Sequence, residues 1–152
     1  MSSNAKVIGV AGPRAATTGS ESSQSRGRRN RPGFSSAVGG FYLAAAGVNT
    51  GLAIGNAGVY RHFADHGLFG FVRTGWAEIV MTNPALWAVL LAAGEACLGI
   101  TLLLGGTFAR WGWVGVLAFH ALLLLFGWGD WAYAVPALVL FGVLARHDWD
   151  SL

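Results

Sequence analysis

Residues 84–106, PALWAVLLAAGEACLGITLLLGG, contain one charged side chain, Glu95, in a run that opens on Pro84 and closes on the pair Gly105–Gly106. About 20 apolar residues carry a helix across the hydrocarbon layer of a bilayer, and this run is long enough. An ionised carboxylate at the bilayer centre is costly, so Glu95 must be paired, protonated or wetted. The run predicts a membrane-spanning helix with a polar contact at its middle.

The flanking sequence repeats the pattern. Trp111 to about Trp128 is a second apolar run with His120 at its centre, and 129–145 a third, short for a span and containing Pro136. No charged residue occurs from Pro32 to Tyr60, which predicts a further helix over 37–57. This stretch is longer than the roughly 7–15 apolar residues of a signal peptide and begins late. Four spans, about 37–57, 84–106, 111–128 and 129–145, give an all-α integral membrane four-helix bundle. Between the first two, residues 58–83 are too polar to cross and too aromatic for a free loop. There Phe69, Val72, Trp76, Ile79 and Val80 recur at helical spacing. They predict an amphipathic helix on the outer membrane surface or capping the bundle.

Composition agrees. Charged residues make up 11% of the 152, against about 25% in a soluble domain. Of the 10 Lys/Arg and 7 Asp/Glu, seven lie within residues 1–31, too uneven a spread to cover a domain folded in water. The single cysteine, Cys97, excludes a disulfide framework and a cysteine-rich zinc or iron–sulfur site. Two positions from Glu95 on a helix, it is expected to serve packing. The net charge of +3 originates in the arginine-rich start, so it describes a tail and not a nucleic-acid interface. Residues 1–36 are expected to form a disordered basic tail, and 37–149 the transmembrane domain.

The arginines set an orientation. With the N-terminus inside, the inner side receives Arg26, Arg28, Arg29, Arg31, Arg110 and Arg146, and the outer side only Arg61 and Arg73. That asymmetry places both termini in the cytoplasm and the chain in the cytoplasmic membrane. Trp111, Trp113 and Trp149 would mark the inner face, and Trp87, Trp128, Trp131 and Tyr133 the outer one.

Glu95 and His120 are equally distant from a hairpin centred between Thr107 and Phe108, so in an antiparallel pair they would meet at one depth. Asn49 also falls near the midplane. The three form a candidate polar cluster: Glu95 and His120 as proton-exchanging, catalytic residues, and Asn49, Glu95 and His120 as ligands to a cofactor. A Glu–His pair can take up and release a proton near neutral pH, as a quinone site or proton relay requires. The same pair could instead simply lock two helices together. Gly47, Gly51 and Gly55, four apart, form one face suited to close helix packing, within the chain or against another subunit. His62 and His66 share a helical face at metal-binding spacing, but no third ligand accompanies them, and no metal is assigned. Haem ligation by His120 with one of them is opposed by their different depths.

On these residues the stretch from about 39 to 149 resembles the DoxX-like family of small four-helix membrane proteins. The resemblance is carried by Gly58-Val-Tyr-Arg-His-Phe-Ala-Asp65 after the first helix and by Gly94-Glu95-Ala-Cys-Leu-Gly99. Leu102-Leu-Leu-Gly-Gly106, Arg110 and the helix with Pro136 complete it. The basic, serine-rich start departs from the family's compact N-terminus. The resemblance implies association with membrane redox systems, including small subunits of thiosulfate oxidation that use quinone as acceptor. The family's intramembrane glutamate corresponds to Glu95, while no motif here identifies a thiosulfate site. Two functions stay open: a small subunit of a quinone-linked membrane redox system, or a non-catalytic accessory subunit packed against larger membrane partners. No nucleotide, flavin or iron–sulfur motif is present, so any electron carrier is borrowed or is a quinone.

Overall fold

The computed structural model describes residues 33–152, so the expected tail lies almost wholly outside the described residues. Five α-helices follow: α1 Phe34–Gly55, α2 Gly70–Gly75, α3 Pro84–Leu104, α4 Gly106–Leu123 and α5 Trp128–Trp149. All but α2 are long and apolar enough to cross a membrane, α4 being extended by a 3₁₀ turn, Leu124–Phe126. There is no strand among the described residues. The architecture is the all-α four-helix bundle that the apolar runs predict.

Packing runs α1 on α3, α3 on α4, α4 on α5, with α5 returning to α1. The α1–α3 contact is the most extensive because two glycines let the backbones touch. A Cβ added at Gly39 would lie 2.9 Å from the Gly99 carbonyl oxygen, and one at Gly99 would lie 2.8 Å from that of Gly39. Close approach at missing side chains is how membrane helices gain contact when lipid removes the hydrophobic drive. Gly47, Gly51 and Gly55 do not serve here: nothing lies within 4 Å of a Cβ at any of them, and their face points out of the bundle. Cys97 is likewise exposed on the outside of α3 rather than packed.

The spans begin and end differently from the sequence expectation, for identifiable reasons. Helix α1 begins at Phe34, earlier than 37, because a carboxylate from another helix caps it. Asp148 of α5, only 3% exposed, accepts the backbone N–H of Ser35 at 2.6 Å and of Phe34 at 3.3 Å. First-turn N–H groups have no partner within their own helix, and a negative charge there also meets the positive end of the helix dipole. Gly33, at the N-cap, offers no side chain for the purpose. The same contact draws α5 out to Trp149, so the fourth span is full length and not the short 129–145. It continues through Pro136.

Between α3 and α4 no loop remains. Gly105 (φ 74°) and Gly106 (φ 53°) turn the chain in the left-handed region that glycine enters at no steric cost. Helix α4 therefore starts at Gly106, five residues before the expected 111. Trp113, expected in an interfacial belt, is consequently buried in the core at 0% exposure, beside Leu102, Val116 and Phe141. Trp111 remains at the surface, 68% exposed.

The segment between α1 and α3 caps the bundle as a broken structure, not one amphipathic helix. A 3₁₀ helix, Ala57–His62, is followed by α2 and then by a π-helical stretch, Trp76–Val80. It is fastened over the α4–α5 turn, where Leu68 N–H donates to the Leu125 carbonyl at 2.9 Å. Gly127 in that turn has φ 93°, and a Cβ on it would overlap the His66 carbonyl. Phe63 stacks on Trp76 and packs on Phe126, with ring centroids 5.2 and 4.8 Å apart.

Candidate functional site

Apart from the Asp148 cap on α1, the polar residues inside the bundle form two clusters. In the first, Asn49 of α1 donates through Nδ2 to Glu95 Oε2 of α3 at 2.7 Å. The Tyr60 hydroxyl, on the 3₁₀ helix after α1, donates to Asn49 Oδ1. The amide thus uses both ends, giving a hydrogen to the carboxylate and taking one from the phenol. Glu95 is 7% exposed. Burial first, and then the field of Glu95, hold the Tyr60 phenol above its ordinary value of 10.0.

In the second cluster His120 of α4 is fully buried. Its Nδ1 lies 2.9 Å from the Val116 carbonyl and 3.3 Å from the Tyr42 hydroxyl, and its Nε2 lies 3.3 Å from the Tyr133 hydroxyl. A carbonyl only accepts, so the network assigns a ring proton to Nδ1; in the neutral ring Nε2 then accepts from Tyr133. Phe141 and Phe119 close the box edge-on, at 4.9 and 5.4 Å between centroids.

The expected direct Glu95–His120 pair is not formed: no hydrogen bond or ion pair joins them, and each has the partners just described. The cause is the turn. With the chain reversing at Gly105, Glu95 stands ten residues before it and His120 fifteen after. At 1.5 Å rise per residue, His120 therefore sits about 7.5 Å deeper along the bundle than a matched pair requires. Asn49 does meet Glu95 as the sequence suggested. The three tyrosines of the chain, Tyr42, Tyr60 and Tyr133, all join these clusters, Tyr133 through His120 and not only as the belt residue expected from the sequence. The available signal was their scarcity beside nine Phe, because a buried phenol in an apolar helix needs a partner for its hydroxyl.

A cavity of about 450 Å³ lies beside the clusters, between α3, α4 and the capping segment. Trp87 and Leu91 of α3 face Phe119 and Leu123 of α4, under a roof of Tyr60 and Trp76. Its wall is almost wholly apolar, and it is partly open to the surroundings. Tyr60 connects it to the Glu95 cluster, while Phe119 separates it from His120. The Trp76 indole N–H is occupied by the Tyr60 carbonyl at 2.8 Å. Its size falls in the range of ligand pockets, about 300–1,000 Å³.

His62 and His66 turn to different partners. His62 Nδ1 lies 2.8 Å from Asp65 Oδ2, and the His66 ring packs on Trp128 with centroids 4.5 Å apart. Among the described residues no three His, Cys, Asp or Glu side chains come together as a metal site. No protein-family model matches the chain, and neither does a curated protein or a solved structure.

Proposed function

We propose that this multi-pass membrane protein binds a quinone-type ring lipid in the cavity between α3, α4 and the capping segment, as a small subunit of a quinone-linked membrane redox system. The observation that carries the reading is an apolar, ring-sized cavity in a membrane bundle, roofed by a tyrosine hydrogen-bonded to a half-buried asparagine that in turn holds the buried Glu95. The apolar walls hold the ring and the start of its tail. The Tyr60 hydroxyl already gives its hydrogen to Asn49, leaving an oxygen lone pair for a ligand hydroxyl, as on a reduced quinol. Within this cluster the Glu95 carboxyl is the acidic group, so it is the proton-exchanging residue, and Asn49 links it to Tyr60. His120, with Tyr42 and Tyr133, is a second proton-holding cluster behind Phe119. Electrons would come from or go to a partner subunit. The likeness of residues 39–149 to DoxX-like proteins supports the same assignment, as does the arginine asymmetry for a cytoplasmic-membrane protein with both termini inside.

A second reading, the accessory subunit, is favoured by one observation: the Gly47/Gly51/Gly55 face of α1 is open and smooth, as a seat for another membrane helix would be. Titrating the purified protein with a short-tailed quinone separates the two. Trp76 and Trp87 line the cavity, so occupancy is expected to quench tryptophan fluorescence saturably, and Ala88→Leu, which fills the cavity, to remove the saturable part. Identical, unsaturable quenching in both proteins would leave the accessory reading in its place.

A further inference from the structure

The opposite end of the bundle carries a second, chemically different opening. A cleft of about 370 Å³ is lined by Thr107, Arg110, Trp111 and Val114 of α4 and Trp149 of α5. It lies beside the Gly105–Gly106 turn, at the end where α1 begins and α5 stops. The guanidinium of Arg110 stands 5.7 Å from the centre of the Trp149 ring and donates to the Trp149 carbonyl at 3.4 Å. That single contact leaves most of its five N–H donors unused. Among the described residues the carboxylates within 4.0 Å of a basic side chain are Asp65, beside His62, and Asp148, beside His147, so no carboxylate there neutralises Arg110.

The rest of the cleft is apolar and runs in one direction. Thr107, Arg110, Trp111 and Val114 occupy successive turns of one α4 face, at spacings of three and four. Trp111 is 68% and Val114 46% exposed, so the stripe continues from the charged end toward the hydrocarbon layer. A cation at the interface, flanked by two tryptophans and followed by an apolar track, matches an amphiphile with an anionic head. Tryptophans favour this depth, and basic residues near the membrane surface attract anionic lipid.

We propose that this cleft is a binding site for one anionic phospholipid, its phosphate on the Arg110 guanidinium and an acyl chain along Trp111 and Val114. A guanidinium pairs a phosphate oxygen through charge-assisted, often forked, hydrogen bonds. A zwitterionic lipid brings an ammonium group as well, for which the cleft has no carboxylate. Inorganic phosphate shares the head chemistry but gains nothing from the apolar track. The site is independent of the cavity described above, which is at the other end of the bundle.

Native mass spectrometry of the full chain released from nanodiscs of mixed phosphatidylcholine and phosphatidylglycerol provides the test. The wild type is expected to retain one phosphatidylglycerol in preference to phosphatidylcholine. Arg110→Gln is expected to lower that retention about ten-fold, the equivalent of one hydrogen bond to a charged group. Thr107→Glu, which puts a negative charge in the cleft, is expected to give a similar loss. Arg146→Gln, an exposed change at the same end but outside the cleft, is expected to leave retention unchanged. Equal retention by wild type and Arg110→Gln would overturn the proposal. So would equal losses in Arg110→Gln and Arg146→Gln, which would mean diffuse charge, or equal retention of the two lipids. Displacement of the lipid by millimolar inorganic phosphate would show an anion site without lipid recognition, and would overturn it too.

Discussion

Tyr60 joins the capping segment to the interior of the bundle through a single hydroxyl. Its hydrogen goes to Asn49, whose amide goes to Glu95, so removing the hydroxyl leaves one end of a half-buried amide without its partner. Tyr60→Phe is expected to destabilise the detergent-solubilised protein by about 1 kcal/mol at neutral pH. The pH dependence has a definite sign. A phenol whose pKa is raised on folding adds stability that is complete below its ordinary value of 10.0 and lost as pH climbs through the raised one. Melting temperature should therefore fall more steeply above pH 10 in the wild type than in Tyr60→Phe. Parallel curves would mean that Tyr60 titrates as it does in water. At this scale the sequence was half legible. Glu95 announces itself as a charge in an apolar run and Asn49 as a polar residue at similar depth, so their contact follows. The partners of His120 did not follow, because a small error in the position of a hairpin, doubled between its two arms, exchanges one set of neighbours for another.

Helix contacts are decided by which glycines face inward, and spacing alone does not tell them apart. Gly47, Gly51 and Gly55 repeat every four residues, yet their face is open; Gly39 and Gly99 belong to no such series, yet their backbones touch. The difference is one of rotation about α1, fixed by larger residues such as Val38 and Tyr42 entering the core. Gly99→Ala places a methyl group 2.8 Å from a backbone carbonyl that cannot swing away as a side chain would. It is expected to cost about 1–3 kcal/mol, as overpacking does. Gly51→Leu is expected to leave the melting temperature of the isolated chain unchanged. The reverse ranking in thermal melts would contradict the packing described here. Element ends were the least legible feature: α4 begins directly on a glycine of its turn, and α1 is capped by Asp148 from the far end of the chain. The former needed left-handed conformations at two adjacent glycines, and the latter is a long-range contact that no local pattern encodes.

Over the whole molecule, apolar runs and charge distribution made the membrane bundle readable, because a chain with so few charges beyond residue 31 has no other way to satisfy its surface. The bundle places the start of α1, the α3–α4 turn and the end of α5 together, with Arg110 and Arg146 exposed there. The capping segment, with Arg61 and Arg73, lies at the other end. The orientation proposed above, from the positive-inside rule, puts the former end in the cytoplasm. Reporter fusions at residue 70 and after residue 152 should accordingly give opposite answers, external and cytoplasmic; matching answers would refute the four-span topology. The cavity was not legible from sequence, since its walls come from α3, α4 and the capping segment and share no local motif.

The central claim is that this cavity holds a quinone-type ring, and photolabelling tests it most directly. Membranes containing the full chain are irradiated with a photoreactive quinone, and the labelled peptides are identified by mass spectrometry. Labelling is expected to concentrate on residues 76–91 and 119–126, which carry most of the cavity wall, and to fall when unlabelled quinone competes or when Ala88→Leu fills the space. Labelling spread evenly over the lipid-facing surfaces of α1 and α5, and insensitive to competitor and to Ala88→Leu, would contradict it.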